Sequence, residues 1–423
     1  MKLRRLTIDG YKALDDLSFD MPYNLLFLIG TNGAGKSSVL QALSFVRAFA
    51  SGNVDQFISD RQWKWSDVRP RKNLRPVGKS GRVRVLPTKN LQFRLLLEPE
   101  TGHSIVWEFS WSYVAQQTMS EQIWDVAPDA APRRIFSYAR STRVSPESSS
   151  DSIKVDDLRF PGSAMALLPV GAISEGRADA AILNAIRNWA RGITSLELLS
   201  PVAMRRNTRG QPRDIGPRGE RLAGFLAALG PAGRARLVDR LSTFYPLSGL
   251  DATRKTAGWI DVRIQEPFTN IARFTPTHMS DGFLRILALC AIPDFAEDVS
   301  MVLLDEVEDG IEPHILPDLI RSIAGQSQAQ LLMTSHSPLL VNFFDADEIR
   351  FLTRDDDGST IIAETADMKS FASSAQFLGV GEIWANTAAD RLSREARRSD
   401  RQSAGRDDST DVERIRRFAA ARS

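Results

Sequence analysis

The chain is poor in cysteine and histidine, with one of the first and four of the second among 423 residues. The lone Cys290 lies inside the apolar run 286–292, so a disulfide framework is excluded; a buried core thiol and a reducing, cytoplasmic compartment are expected. No stretch of about eighteen apolar residues occurs, so the sequence offers no candidate membrane span. Residues 1–8 alternate charged and apolar side chains without an apolar h-region, and no signal or transit peptide is expected. Charge of one sign is also lacking: 54 Lys and Arg meet 52 Asp and Glu, for a formal net charge of +2. Any nucleic-acid contact must therefore come from basic residues concentrated locally. No internal repeat on the scale of roughly 20 to 50 residues stands out.

What is present is ordinary globular composition, 43% hydrophobic and 25% charged, in a chain long enough for roughly two or three lobes. Residues 1–8 and 14–19 read as strands, and 25–29 as a short, fully apolar buried strand ending at Gly30. From Lys36 to residue 50 the apolar spacing becomes helical, so the order is strand, glycine-rich loop, helix. Residues 51–180 alternate strand-like segments such as 91–97 and 104–111 with turns, and are expected to form a β-rich inserted lobe; 145–151 reads as an exposed loop within it. A helical lobe is expected over 181–259, with 180–192 and 220–229 as its clearest helices. α/β patterning resumes after 260: a helix over 283–292, strands over 301–304 and 330–333, a helix over 317–324, and strands 348–353 and 359–363 around a hairpin turn at 354–358. Residues 388–423 are rich in Arg, Asp and Ser with almost nothing to bury, which predicts a solvated helix or a flexible tail. The fold class expected is α/β, with one core made of 1–50 and 260–387.

Four short segments carry chemistry. Gly30, Thr31, Asn32, Gly33, Ala34, Gly35, Lys36 and Ser37 fit G-x-x-x-x-G-K-[ST], in which glycines let successive N–H groups turn around phosphates at a helix start. Lys36 would hold the β- and γ-phosphates and Ser37 would place its hydroxyl on Mg²⁺, with Ser38 close by. The apolar run 301–304 ends in Asp305 and Glu306, a carboxylate for Mg²⁺ followed by one able to polarise a water. An acid in that position, seen alone, is as often the cap of the next helix. His336 follows a third apolar strand, where it could reach a γ-phosphate or the attacking water, or could simply be a turn histidine before Pro338. Ser280, Asp281 and Gly282 open an apolar helix, which makes them either its N-cap or an anion site for the γ-phosphate of a second subunit.

Taken together, GTNGAGKSS at 30–38, SDGFLR at 280–285, LLDEVEDGIEP at 303–313 and TSHSP at 334–338 resemble the RecF-like branch of the ABC ATPases, relatives of SMC proteins and of the ATPase domains of OLD-family nucleases. The opening LRRLTIDGYKALDDLSF at 3–19 and the segments 199–205 and 219–226 are similar to that family's first strands and helical lobe, so the likeness runs to about residue 387. The resemblance implies a P-loop fold of ABC type, ATP and Mg²⁺ as cofactors, and a head-to-head homodimer or an oligomer of dimers. Each ATP would lie between residues 30–38 of one subunit and Ser280, Asp281 and Gly282 of the other. Glu306 would be the base, His336 the γ-phosphate sensor, Lys36 the phosphate ligand, and Asp309 part of a loop crossing the interface. Family members often carry Asn and His where this chain has Asp309 and Glu312, and the adenine-side glutamine finds no counterpart. OLD-type relatives continue into a TOPRIM nuclease domain after the histidine motif, whereas 87 residues follow it here, and no built-in TOPRIM nuclease is expected.

Basic residues concentrate once, between Arg61 and Arg84, with Trp63 and Trp65 interleaved. Such a segment suits phosphate neutralisation and base stacking on DNA, and equally an ordinary solvated surface. The expected function is an ATP-driven switch of a genome-maintenance or anti-phage defence system, acting on DNA or on a separately encoded nuclease or toxin. The alternative is an ATP-gated scaffold that recruits such an effector with little hydrolysis.

Overall fold

The computed structural model describes residues 1–70, 90–100, 102–140, 153–156, 160–167, 178–197, 199–255, 257–268, 273–374, 378–403 and 411–420. Strands β1 (Lys2–Asp9), β2 (Leu17–Asp20), β4 (Asn90–Glu98), β5 (Ser104–Ser112), β6 (Gln117–Val126), β7 (Arg133–Ala139) and β8 (Ile153–Asp156) form one sheet in the order β2-β1-β4-β5-β6-β7-β8. Its pairs are antiparallel except β7 with β8. The strands after residue 90 thus extend the sheet begun at the N-terminus. A second sheet contains β3 (Leu25–Gly30), β9 (Ile193–Ser195), β13 (Met301–Leu304), β14 (Gln330–Thr334), β15 (Ile349–Arg354) and β16 (Thr360–Glu364), in the order β16-β15-β3-β14-β13-β9. In it β15, β3, β14, β13 and β9 run parallel and β16 is antiparallel. A small antiparallel sheet joins β10 (Gly249–Arg254), β11 (Ile260–Gln265) and β12 (Arg273–Phe274).

The apolar run of β3 follows from burial on both faces. Leu25, Phe27 and Ile29 belong to one hydrophobic core, whereas Leu26 and Leu28 belong to another. β13 divides in the same way, Val302 and Leu304 against Met301 and Leu303. The helix Lys36–Ser51 lies in the second core, where Leu40, Phe45 and Phe49 join residues of both large sheets. Phe49 stacks on Phe109 of β5 with centroids 4.0 Å apart. The first core is shared with the helices Leu222–Ala228, Gly230–Ser242, Asp281–Cys290 and Leu316–Gln326. Cys290 is buried there, and burial pushes its thiol up to about 12.

Two expectations change. The segment 181–259 is not helical throughout: it contains β9 and β10, with Leu250 and Ala252 of β10 facing the core. The polar tail is also not without burial. Helix Ala389–Ser403 seats Leu392 and Ala396 in the first core, and helix Asp411–Ala420 places Ile415 and Phe418 against Leu96, Val106 and Trp124 of the first sheet. Few apolar residues suffice because each pair falls on one helical face, at spacings of four and three.

Candidate nucleotide site

The glycine-rich loop begins where β3 ends, and sterics dictate its first residue. Gly30 has φ 134°, and a Cβ there would stand 2.0 Å from the Leu352 carbonyl oxygen of β15. Gly33 and Gly35 also take positive φ, and a Cβ on Gly35 would meet Thr360 Oγ1 at 2.4 Å. Helix Lys36–Ser51 starts directly after. Lys36 Nζ donates to the carbonyls of Gly30 at 2.9 Å and Thr31 at 3.1 Å. Burial lowers its pKa to about 8, opposed by the fields of Asp305, Glu306 and Glu308.

Because β3, β14 and β13 are parallel neighbours, their carboxyl ends share one edge of the sheet. The loop 30–38, His336 and the pair Asp305 and Glu306 follow those three ends. Ser37 Oγ donates to Asp305 Oδ1 at 3.2 Å. Thr334, the last residue of β14, donates its hydroxyl to the same Asp305 oxygen and accepts from the Glu306 N–H at 2.8 Å. Glu306 itself sits at φ 48°, a left-handed conformation costing a non-glycine residue about 1–2 kcal/mol. Its Oε1 is 3.7 Å from His336 Nε2. The His336 N–H donates to Glu308 Oε1, while Glu308 Oε2 is buried without a hydrogen-bond partner among the described residues.

Ser280, Asp281 and Gly282 are placed elsewhere. Ser280 Oγ caps helix Asp281–Cys290 by accepting from the Phe283 N–H at 3.2 Å. Arg205 donates to the Met279 carbonyl at 2.7 Å and to Asp281 Oδ1 at 2.6 Å. A Cβ on Gly282 would stand 2.8 Å from the Gly310 carbonyl oxygen, so the glycine lets this helix start approach the loop after Glu306. Arg285, one turn on, pairs with Asp309 of its own chain at 2.6 Å. Among the described residues no hydrogen bond or ion pair joins Ser280, Asp281 or Gly282 to residues 30–38.

Several neighbours carried no motif. A cavity of about 530 Å³ opens beside Ser38, lined by Lys12, Arg69, Arg354, Asp357 and Ser359 among others. Lys12 Nζ donates to Gln41 Oε1 at 2.6 Å and lies 3.8 Å over the Trp63 ring; burial first, then Arg61, lowers its pKa to about 8. Glu197, just beyond β9, accepts from Ser44 Oγ at 2.8 Å and pairs with Arg61 at 3.3 Å. It lines a smaller cavity with Asp305, Glu306 and Arg285. Position at a parallel-strand end is the one sequence signal that could have marked Glu197.

The basic segment is described in part. Arg61 pairs with Glu197, Trp63 packs on Lys12 and Phe57, and Trp65 packs on Trp111 at 4.2 Å, so these three are engaged within the fold while staying partly exposed. Arg71, Lys72, Arg75, Lys79, Arg82 and Arg84 lie outside the described residues.

Two family models match the sequence. One, described as AAA domain, putative AbiEii toxin, Type IV TA system, covers residues 171–342; the other, AAA ATPase domain, covers residues 1–74. No curated protein matches. Among solved structures, an SMC head bound to the C-terminal winged-helix domain of ScpA aligns with TM-score 0.52 at 14% identity, over 86% of this chain and 98% of the other. An SMC head with an extended coiled coil, bound to the C-terminal domain of ScpA derived from Pyrococcus furiosus, aligns with TM-score 0.48 at 11% identity, over 89% and 99%. The glycine-rich loop lies in the segment that matches the AAA ATPase domain model and the other three motifs lie in the segment that matches the second AAA model, on a fold similar to that of an SMC head.

Proposed function

We propose that the chain binds ATP with Mg²⁺ at this sheet edge and hydrolyses it as a switch, two copies meeting head to head around the nucleotides. The observation that carries this reading is the parallel order β3-β14-β13, which gathers Lys36, His336, Asp305 and Glu306 at one edge. The loop N–H groups, the helix start and the Lys36 ammonium suit a triphosphate. Ser37 and Asp305 fit Mg²⁺: both offer hard oxygens, and they stand 3.2 Å apart. No group of three or more His, Cys, Asp or Glu that could hold a metal occurs among the described residues, and Mg²⁺ commonly uses one or two carboxylates plus phosphate oxygens. When bound, Mg²⁺ neutralises charge on the phosphates. Glu306 is the group to take the proton of an attacking water, and His336, 3.7 Å away, to hold the γ-phosphate side. Thr334 fixes the Glu306 main chain, and Glu308 fixes that of His336.

Among the described residues Ser280, Asp281 and Gly282 make no hydrogen bond or ion pair to the loop of their own chain, which supports their use on the loop of a second copy. The matched family's printed name includes a putative toxin, and the similar SMC head is bound to a winged-helix domain. These support an ATPase component of a genome-maintenance or anti-phage defence system that controls a separately encoded effector in the cytoplasm. No helix among the described residues is long and apolar enough to cross a membrane.

Lys36→Ala is expected to abolish ATP binding. Glu306→Gln should bind ATP, lose turnover by about 10²–10⁴-fold and accumulate as a dimer, read by ATPase assay and light scattering. A glutamine variant that hydrolyses ATP at the parental rate would leave Glu306 without its role, whereas a parental chain that binds ATP and scarcely turns it over would favour the ATP-gated scaffold.

A further inference from the structure

The C-terminal helix Ala389–Ser403 reaches the nucleotide site through a chain of named contacts. It is docked on β15 and β16 by Leu392 and Ala396, both fully buried, and by the Thr353 and Ser393 hydroxyls at 2.8 Å, and on the helix Lys369–Ser374 by Glu395, which accepts from the Ser370 N–H at 2.7 Å. Arg397 adds contacts at the end of β15 and in the turn after it. Its guanidinium donates twice to the Arg354 carbonyl, from Nε at 3.1 Å and Nη2 at 2.7 Å, and pairs through Nη1 with Asp356 at 2.6 Å. Arg354 ends β15 and Asp356 lies in the β15–β16 turn; Arg354 and the turn residues Asp357, Gly358 and Ser359 wall the cavity beside Ser38.

The Arg354 side chain points the other way, into the phosphate loop. Its Nε donates to the Gly33 carbonyl at 2.6 Å and its Nη1 to the Gly358 carbonyl at 2.8 Å. Thr360, across the hairpin, donates its hydroxyl to the Ala34 carbonyl at 2.8 Å and its N–H to the Ala13 carbonyl at 2.7 Å. Arg397 therefore fixes the main chain of the residue whose side chain fixes the loop. In a trans peptide plane the carbonyl of one residue points opposite to the N–H of the next, so donors on the carbonyls of residues 33 and 34 fix the direction of the N–H groups of residues 34 and 35 and hold the loop in an anion-accepting shape. Charge-assisted bonds of this kind are the stronger ones, and two donors on one carbonyl fix its direction.

We propose that Arg397 and Arg354 are positioning residues for the phosphate loop, through which the C-terminal helix sets the affinity of the nucleotide site. The proposal rests on the ATP reading above, and the experiment separates the two. Binding of a slowly hydrolysed fluorescent ATP analogue with Mg²⁺, ATPase kinetics and thermal melting are measured on the full chain. The variants are Arg397→Ala, Arg397→Lys, Arg354→Ala, the double alanine variant, and Glu395→Gln as a docking control.

Loss of a charge-assisted bond is worth about tenfold, so Arg397→Ala should raise Kd and KM about tenfold with little change in kcat. Arg354→Ala should do the same, and the double variant should be no worse than Arg354→Ala alone, because the two act in series. Arg397→Lys, which keeps one charged donor, should be intermediate and keeps the test open if the alanine variant fails to fold. Glu395→Gln should lower the melting temperature and leave Kd unmoved. Wild-type Kd in a folded Arg397 variant, or losses that multiply in the double variant, would overturn the proposal alone. A wild-type chain that binds no nucleotide would overturn the ATP reading and this one with it.

Discussion

Lys36 closes the glycine-rich loop and Lys12 lines the cavity beside Ser38, and burial brings both down to about 8. A lysine lowered in this way is charged below that pH and neutral above it, whereas a bound triphosphate favours the charged form. Affinity for MgATP should thus be level up to about pH 8 and fall above it, by up to about tenfold per pH unit for each lysine that must regain its proton. Titrations of a fluorescent ATP analogue between about pH 7 and 10 would show this; Kd independent of pH across that range would remove both lysines from the phosphate site. Lys36 was legible because its motif is contiguous. Lys12, Glu308 and Arg354 were not, since their roles come from hydrogen bonds to residues far away in the chain, such as Glu308 to the His336 N–H and Arg354 to the Gly33 carbonyl.

At the scale of elements, the contact between β3 and β15 decides which glycine is indispensable. Gly30 would press a Cβ to 2.0 Å from backbone, whereas Gly33, at φ 73°, has nothing within 4 Å of one. Gly33→Ala should cost only the conformational term, about 1–2 kcal/mol. Gly30→Ala should add overpacking of about 1–3 kcal/mol to a similar term, because main chain has to move. Thermal melts of the two variants would compare them, and equal losses would contradict the steric argument. Both-sided burial made β3 and β13 readable as short apolar runs. A helix was one of the two readings for the tail, but the burial of helices 389–403 and 411–420 was not legible because a sparse pair such as Ile415 and Phe418 is overwhelmed by the surrounding charge, although their spacing marks one face. The strand β10, carrying Asp251, Thr253 and Arg254 among its six residues, offered too few apolar positions to betray its pairing with β11.

For the whole molecule, the four motifs stand on one chain in two groups. Residues 30–38, Asp305, Glu306 and His336 meet at one sheet edge, while Ser280, Asp281 and Gly282 cap a helix tied to Arg205 and to the loop at Gly310. The sequence made each motif visible but not this separation, which depends on strand order. A composite site shared by two copies has a consequence that no single-site enzyme shares. Lys36→Ala and Ser280→Arg should each be inactive as an ATPase, the first lacking the loop cation and the second blocking the anion site. Mixed in equal amounts, half of the dimers pair one chain of each kind, and in those one of the two sites is intact. The measurement is the ATPase rate of that mixture, with both variants shown to be folded: the composite site predicts recovery to about a quarter of the wild-type rate, and a mixture no more active than its two components would contradict it.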